Sequence, residues 1–260
     1  IKLVTHPVIK AVGFTGSLKG GMALFNAAVN RPEPIPVYAE MSAVNPVIIL
    51  PGAMAANGEA IANGLAASVT LGVGQFCTNP GLVFLIDDVN ANTFLQTLSS
   101  AIEKVMPATM LSTGICKNYE GGIERLKATT TVTVLSKAAA IADTAKTEAI
   151  PYVFTVAQKD FIADASLSQE VFGPATTVVL CNSVDEIKEA LKTAEGQLTA
   201  TIHAAGADDS IAAEIINLMK EKAGRVIFGG FPTGVEVTDA MVHGGPFPAT
   251  TDGRTTSVGT

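Results

Sequence analysis

The sequence predicts an α/β protein in which a largely parallel, twisted sheet is flanked by helices. Short β-branched runs alternate with helical patterns along most of the chain, the arrangement that βαβ crossovers produce. The chain has 260 residues, 48% of them hydrophobic and 16% charged, enough apolar material for a sizeable core. Aromatic residues make up 5% and tryptophan is absent, so the apolar fraction rests on small Ala, Gly and Val. That mixture suits close packing of helices on a sheet.

From the N-terminus, residues 8–14 read as a strand, Thr15-Gly16-Ser17 as a turn, and the segment through Val29 as a helix. Arg31-Pro32-Glu33-Pro34-Ile35-Pro36 is a connector, because prolines withhold the N–H that regular pairing needs. Residues 37–40 and 46–50 are short strands, the second stopped by Pro51-Gly52. Residues 53–73, rich in Ala, Leu and Val, predict a buried helix. Residues 82–86 are a strand and 90–104 a helix begun by polar caps. Between 107 and 146 the pattern is weak, with a short helix over 121–127 and a strand over 131–135. Strands at 152–156 and 176–180 bracket a turn at Glu170-Val171-Phe172-Gly173-Pro174. An amphipathic helix over 185–193 takes Ser183 as its N-cap. A strand at 198–202, a helix over 208–222 and a strand at 225–228 complete a second βαβ series. Beyond Gly229 the glycines, prolines, threonines and serines read as loops.

The net charge of −7 argues against nucleic acid, because phosphate binding draws on clustered Lys and Arg. Cys77, Cys116 and Cys181 lie far apart, without a CxxC pair or an even-numbered framework, so a reducing, cytoplasmic setting is expected. None of the three histidines is near a cysteine in sequence, and no metal site is expected. The longest apolar stretch, 65–73, is broken by Ser68, Thr70 and Gly72 and is too short for a bilayer, so no membrane partner is expected. The chain starts Ile1-Lys2-Leu3 without an initiator methionine and runs straight into ordered-looking sequence, as a piece of a longer protein would.

Three places could carry chemistry. Gly74-Gln75-Phe76-Cys77-Thr78 puts a thiol in a glycine-flanked break after a rigid apolar segment, where a small molecule could reach it. Such a cysteine is either a nucleophile or an inert small hydrophobe. Gly13-Phe14-Thr15-Gly16-Ser17 opens a helix, and its free amides suit a phosphate as well as they suit a plain capped turn. Glu40 ends an apolar strand with no basic residue between Val37 and Asn57, so it is either a desolvated general base or a solvated strand end. Glu170 before its turn and Phe172 within it read as surface and core until something connects them.

The connection is their order. GFTGS, then AEMSAVNP, then GQFCT-x-PG, then QEVFGP together resemble the aldehyde dehydrogenase superfamily, spanning residues 13 to 174. The resemblance implies Cys77 as nucleophile and Glu40, 37 residues earlier, as general base. It implies NAD or NADP as cofactor, with Gly16 and Ser17 at its pyrophosphate, Met41 at the nicotinamide amide, Glu170 at the nicotinamide ribose and Phe172 packed beside it. Phe76 and Phe231 are the candidate substrate contacts. Two departures stand out: Met41-Ser42-Ala43 replaces a frequent Leu-Gly-Gly, and Asn79-Pro80-Gly81-Leu82 lacks a common arginine.

The implied reaction is oxidation of an aldehyde to a carboxylic acid through a cysteine thiohemiacetal and thioester. The stretch from Phe231 through His243-Gly244-Gly245-Pro246 to Ser257 is similar to the branch holding 2-oxoglutarate semialdehyde (2,5-dioxopentanoate) dehydrogenases and some NADP-dependent fatty aldehyde dehydrogenases. The oxoglutarate semialdehyde is the expected substrate; a fatty aldehyde, a CoA-acylating reaction and a non-catalytic derivative are the alternatives. His243 reads as a hydrogen-bonded loop residue, and Cys116 and Cys181 as structural. The resemblance further assigns residues 1–42 to the end of a dinucleotide-binding domain and 43–260 to the catalytic domain with a loop-rich tail. It places the rest of the cofactor domain before Ile1 and an oligomerisation segment after Thr260. A homo-oligomer is expected of the full-length protein, and little turnover of the chain alone.

Overall fold

A strand, a turn and a helix open the chain: β1 (Val12–Thr15) leads through Gly16-Ser17 into α1 (Leu18–Val29). The structure is a computed structural model and describes residues 1–234, 238, 241 and 243–254. β2 (Val37–Glu40) pairs in parallel with β1, with Thr15 opposite Glu40. This two-stranded unit has its own small core, in which Ala28 of α1 meets Val37, Ala39 and Met41 together with Val4 and Ile35.

β1 is shorter than the expected strand over 8–14. Arg31, buried at 8% exposure, donates from Nη1 to the carbonyls of Val4 and Ile9, each at 2.9 Å. Those bonds hold residues 1–9 in turns, where Thr5 N donates to Ile1 O and Ile9 N to His6 O.

The rest of the chain builds a second unit. In order come β3 (Val47–Ile49), α2 (Pro51–Thr70), β4 (Leu82–Ile86), α3 (Val89–Glu103), β5 (Ala108–Thr109), α4 (Thr113–Ala128), β6 (Thr133–Lys137) and β7 (Glu148–Ala149). Then follow β8 (Tyr152–Ala157), α5 (Gln158–Ala163), β9 (Ala175–Cys181), α6 (Val184–Thr193), β10 (Gln197–His203), α7 (Asp209–Met219) and β11 (Ala223–Phe228). The central sheet runs β11-β10-β3-β4-β9-β8-β6, parallel throughout except for the antiparallel pairing of β6 with β8; β5 and β7 pair separately.

Period-2 alternation sorts the strand residues between two buried layers. Val47, Ile49, Val83, Leu85 and Val178 face α2 and α3. Ile48, Phe84, Val179, Ala200 and Ile202 face α4, α5, α6 and α7 on the other side. Both faces are covered, which is why these strands read as continuous apolar runs.

Two expectations change. Pro51-Gly52 starts α2 and does not merely stop β3. Proline tolerates the first helical position, and the N–H groups of Gly52 and Ala53 donate to the Asp208 carboxylate, 2.9 Å each. That cap comes from a loop more than 150 residues away, so no local signal announces it. The short helix expected over 121–127 is the end of α4. Ser112 caps it by accepting from Ile115 N at 3.3 Å, and a Cβ on Gly122 would lie 2.8 Å from Val171. The glycine that weakened the pattern is where the helix approaches the Glu170 loop. Elsewhere Ser183 accepts from Glu186 N at 3.2 Å, the cap expected for α6. Among the described residues no helix is long and apolar enough to cross a membrane.

Candidate active site

Cys77 reaches its position through a left-handed stretch. α2 ends at Thr70, and Gly72, Val73 and Gly74 have φ of 56°, 59° and 64°. Gly74 is required twice over, since a Cβ there would also lie 2.3 Å from the Gly173 backbone. The loop beyond it is tied to its neighbours. Thr78 Oγ1 donates to Pro232 O at 2.9 Å, and Asn79 Nδ2 to Gly173 O at 3.1 Å.

Glu40 ends β2 and is 1% exposed. Its carbonyl accepts from Gly16 N at 3.0 Å, and the chain after it is braced from both sides. Met41 N donates to Ala249 O at 2.7 Å, while Gln197 Oε1 accepts from Val44 N and Asn45 N at 2.8 and 3.0 Å. Asn45 then joins the two loops: its Nδ2 donates to Cys77 O at 2.9 Å, and its Oδ1 accepts from Thr199 Oγ1 at 3.0 Å.

Between nucleophile and carboxylate stands His243, 5% exposed. Its Nε2 lies 3.1 Å from Cys77 Sγ and 3.3 Å from Glu40 Oε1. Gly245, two residues after it, permits a close approach of this loop. A Cβ on Gly245 would lie 2.1 Å from Gln197 O, so the histidine loop runs backbone-to-backbone against the sheet. Hydrogen bonding to Cys77 and then to Glu40 outweighs burial and pushes the His243 pKa up to about 9. At neutral pH the imidazole is therefore charged, with Nε2 turned toward both sulfur and carboxylate. His243 is thus the hydrogen-bonded loop residue that its sequence suggests, and the fold brings it against a cysteine that is far from it in sequence.

A cleft of about 490 Å³ opens beside this group. Gly16, Ser17, Glu40 and Met41 line one side; Phe76, Cys77, Glu170 and Phe172 line another. Ser17 caps α1 by accepting from Gly20 N at 3.2 Å, and the first turn of that helix holds no acidic residue. Its N-terminal partial positive charge thus remains for an anion. Burial pushes the Glu170 carboxyl up to about 7, against hydrogen bonds from the Ser42 hydroxyl and the Ala43 N–H. Ser42 also accepts from Leu18 N at 3.2 Å, so this departure from Leu-Gly-Gly couples the start of α1 to Glu170. Phe76 stacks over Gly72, where a Cβ would be 2.7 Å from its ring.

Phe231 is not brought to the cleft. It packs on α2, where a Cβ on Gly64 would be 2.6 Å from its ring, and against His203 at 5.1 Å between centroids. Val235–Val237 and residues 255–260 of the tail on which the branch resemblance drew lie outside the described residues. Cys116 and Cys181 are buried; burial raises the first thiol and pushes the second up to about 12, so neither is a nucleophile. Arg225 on β11 has Nη2 enclosed without a hydrogen-bond partner among the described residues. Burial lowers its pKa, and the Cys77 charge opposes that shift.

The fold and this cleft define an α/β protein with a cysteine, a carboxylate and a histidine converging beside the N-terminus of α1. The chain belongs to the aldehyde dehydrogenase family, which it matches over residues 2–246. It is 48% identical over 257 residues to alpha-ketoglutaric semialdehyde dehydrogenase 2 of Azospirillum brasilense, covering 99% of this chain and 49% of that protein. It is equally 48% identical over 259 residues to the alpha-ketoglutaric semialdehyde dehydrogenase of Acinetobacter baylyi, again 99% of this chain and 49% of that one. The chain thus spans about half the length of the curated relatives it matches. Among solved structures it is similar to a 1-pyrroline-5-carboxylate dehydrogenase from Thermus with bound NAD. The TM-score is 0.77 at 21% identity, over 99% of this chain and 49% of that one. Proline utilization A of Bradyrhizobium japonicum gives 0.79 at 24% identity, over 96% and 25%. These likenesses carry the fold.

Proposed function

We propose that the protein of which this chain is part oxidises 2,5-dioxopentanoate to 2-oxoglutarate, using NAD or NADP. The convergence of Cys77, Glu40 and His243 in the cleft carries this reading. The names of the relatives at 48% identity support the substrate. Arg225 supports it too, as a half-buried cation whose charge is felt at Cys77 and whose Nη2 has no hydrogen-bond partner among the described residues. Residues 1–42 close the dinucleotide-binding part and 43–260 supply the catalytic part, in a homo-oligomer of the cytoplasm.

Gly16, Ser17, Met41, Glu170 and Phe172 would hold the nicotinamide cofactor, which supplies a hydride acceptor when bound. The start of α1 matches the negative charge of a pyrophosphate. Cys77 Sγ attacks the aldehyde carbon, and its own N–H is a donor for the oxyanion. Loss of hydride from that carbon leaves a thioester on Cys77. Glu40 takes a proton from the water that cleaves it, and His243 keeps thiol and carboxylate aligned.

The test is a panel of aldehydes given to the full-length enzyme, with and without coenzyme A. NAD(P)-dependent formation of 2-oxoglutarate, unaffected by coenzyme A, is expected. A CoA thioester product, or preference for long-chain aldehydes over the oxo acid, would overturn the reading.

A further inference from the structure

The same three side chains have a second chemistry, which does not depend on the identity of the aldehyde. We propose that Cys77, His243 and Glu40 form a binding site for zinc, and that the metal, once bound, blocks the nucleophile.

One ligand atom from each residue lies within 4.8 Å of the others, with Nε2 at 3.1 Å from the sulfur and 3.3 Å from the carboxylate oxygen. Zinc bonds of ~2.3 Å to sulfur and ~2.0–2.2 Å to nitrogen and oxygen, at tetrahedral angles, require comparable separations between ligand atoms. The sulfur–nitrogen and nitrogen–oxygen separations already lie within a few tenths of an ångström of what that coordination needs. The donor set selects the metal. A thiolate and an imidazole with one carboxylate suit a borderline-soft cation, whereas calcium and magnesium take oxygen shells.

The loops that carry the ligands are cross-braced by Asn45 to the Cys77 carbonyl and by Met41 N to the Ala249 carbonyl. The donors are therefore presented without much ordering cost. Glu40 and His243 are buried and Cys77 partly exposed at the cleft, so the cation has an entry path and its fourth position is left for water. Coordination replaces the proton on His243 Nε2, releases it to solvent, and changes no oxidation state. Three protein ligands with one open position are the composition of a catalytic zinc site. Here the sulfur is the nucleophile itself, so the metal would silence it.

Cobalt(II) is the probe. Titrating the chain should give a thiolate-to-cobalt charge-transfer band at one metal per chain, removed by equimolar zinc and not by excess magnesium. Cys77→Ser should abolish the band. His243→Gln and Glu40→Gln should each weaken cobalt affinity at least tenfold, while Cys116→Ala and Cys181→Ala leave it in place. Zinc should also slow alkylation of Cys77 by iodoacetamide, read by mass spectrometry in the unsubstituted chain. Absence of the band, its persistence in Cys77→Ser, unchanged affinity in both other ligand variants, or alkylation indifferent to zinc would overturn the proposal. Because no arm reads turnover, these results are distinguishable from a failure of the dehydrogenase reading.

Discussion

At the residue scale the centre of the site is His243 Nε2, 3.1 Å from Cys77 Sγ and 3.3 Å from Glu40 Oε1. His243 Nε2 is shared by both groups, so each side chain is positioned by the other two. If Glu40 activates the hydrolytic water, Glu40→Gln in the full-length enzyme should retain the first burst of NAD(P)H. Steady-state turnover should then fall about 100-fold or more, the usual size of a general-base contribution. Stopped-flow absorbance checks this, and an unchanged steady state would remove Glu40 from that role. Glu170 makes a different prediction. Its folded pKa is raised from 4.5 to about 7 by burial, so the folded state holds a proton that the unfolded chain has already lost. Stability should therefore fall as pH rises from about 4.5 to 7 and level off above, where both states are ionised. Urea unfolding of Glu170→Gln across that range should lack this decline.

At the scale of elements, two loops and two helix ends decide where the chemistry sits. Asp208 is 3% exposed and accepts from the N–H groups of Gly52, Ala53 and Ala205 at 2.9, 2.9 and 3.0 Å. Asp208→Ala should cost about 2–3 kcal/mol in urea unfolding, because three donors lose a charged acceptor. A loss under ~0.5 kcal/mol would mean that water replaces the cap. Gly74→Ala should destabilise by about 1–2 kcal/mol from the left-handed backbone alone. The clash of its Cβ with Gly173 should additionally shift the Cys77 loop. Alkylation of Cys77 at a changed rate, beside a lowered Tm, would register both effects.

Across the whole molecule, the site lies where the two-stranded unit meets the larger sheet. Glu40 belongs to the end of β2, Cys77 to the loop after α2, and His243 to a segment whose neighbour Thr250 bridges back to Glu40. Arg225 approaches from the edge strand β11. Arg225→Met in the full-length enzyme should raise KM for an aldehyde bearing a carboxylate at least tenfold and leave KM for a neutral aldehyde of similar length nearly unchanged. Equal effects on both would show that Arg225 supports packing and not substrate charge.

The sequence by itself determined the α/β class, the order of the elements and the cleft residues that resemble family motifs, because those depend on local periodicity and on short contiguous patterns. Thr15-Gly16-Ser17, Glu40, Cys77 and Glu170 each sit in a short contiguous pattern, ambiguous alone and legible through the order of the four along the chain. The weak stretch around α4 was unreadable for the same reason: Gly121 and Gly122 lower helix propensity locally, and only packing of Gly122 on Val171 repays it. Tertiary structure alone decided the cap of α2 by Asp208 and the placement of His243, which stands 166 positions from Cys77. The one sequence trace of the second was a histidine followed closely by Gly245, whose missing Cβ lets the loop lie flat on the sheet. Contact across such a separation depends on the closure of the whole fold, which no local pattern encodes.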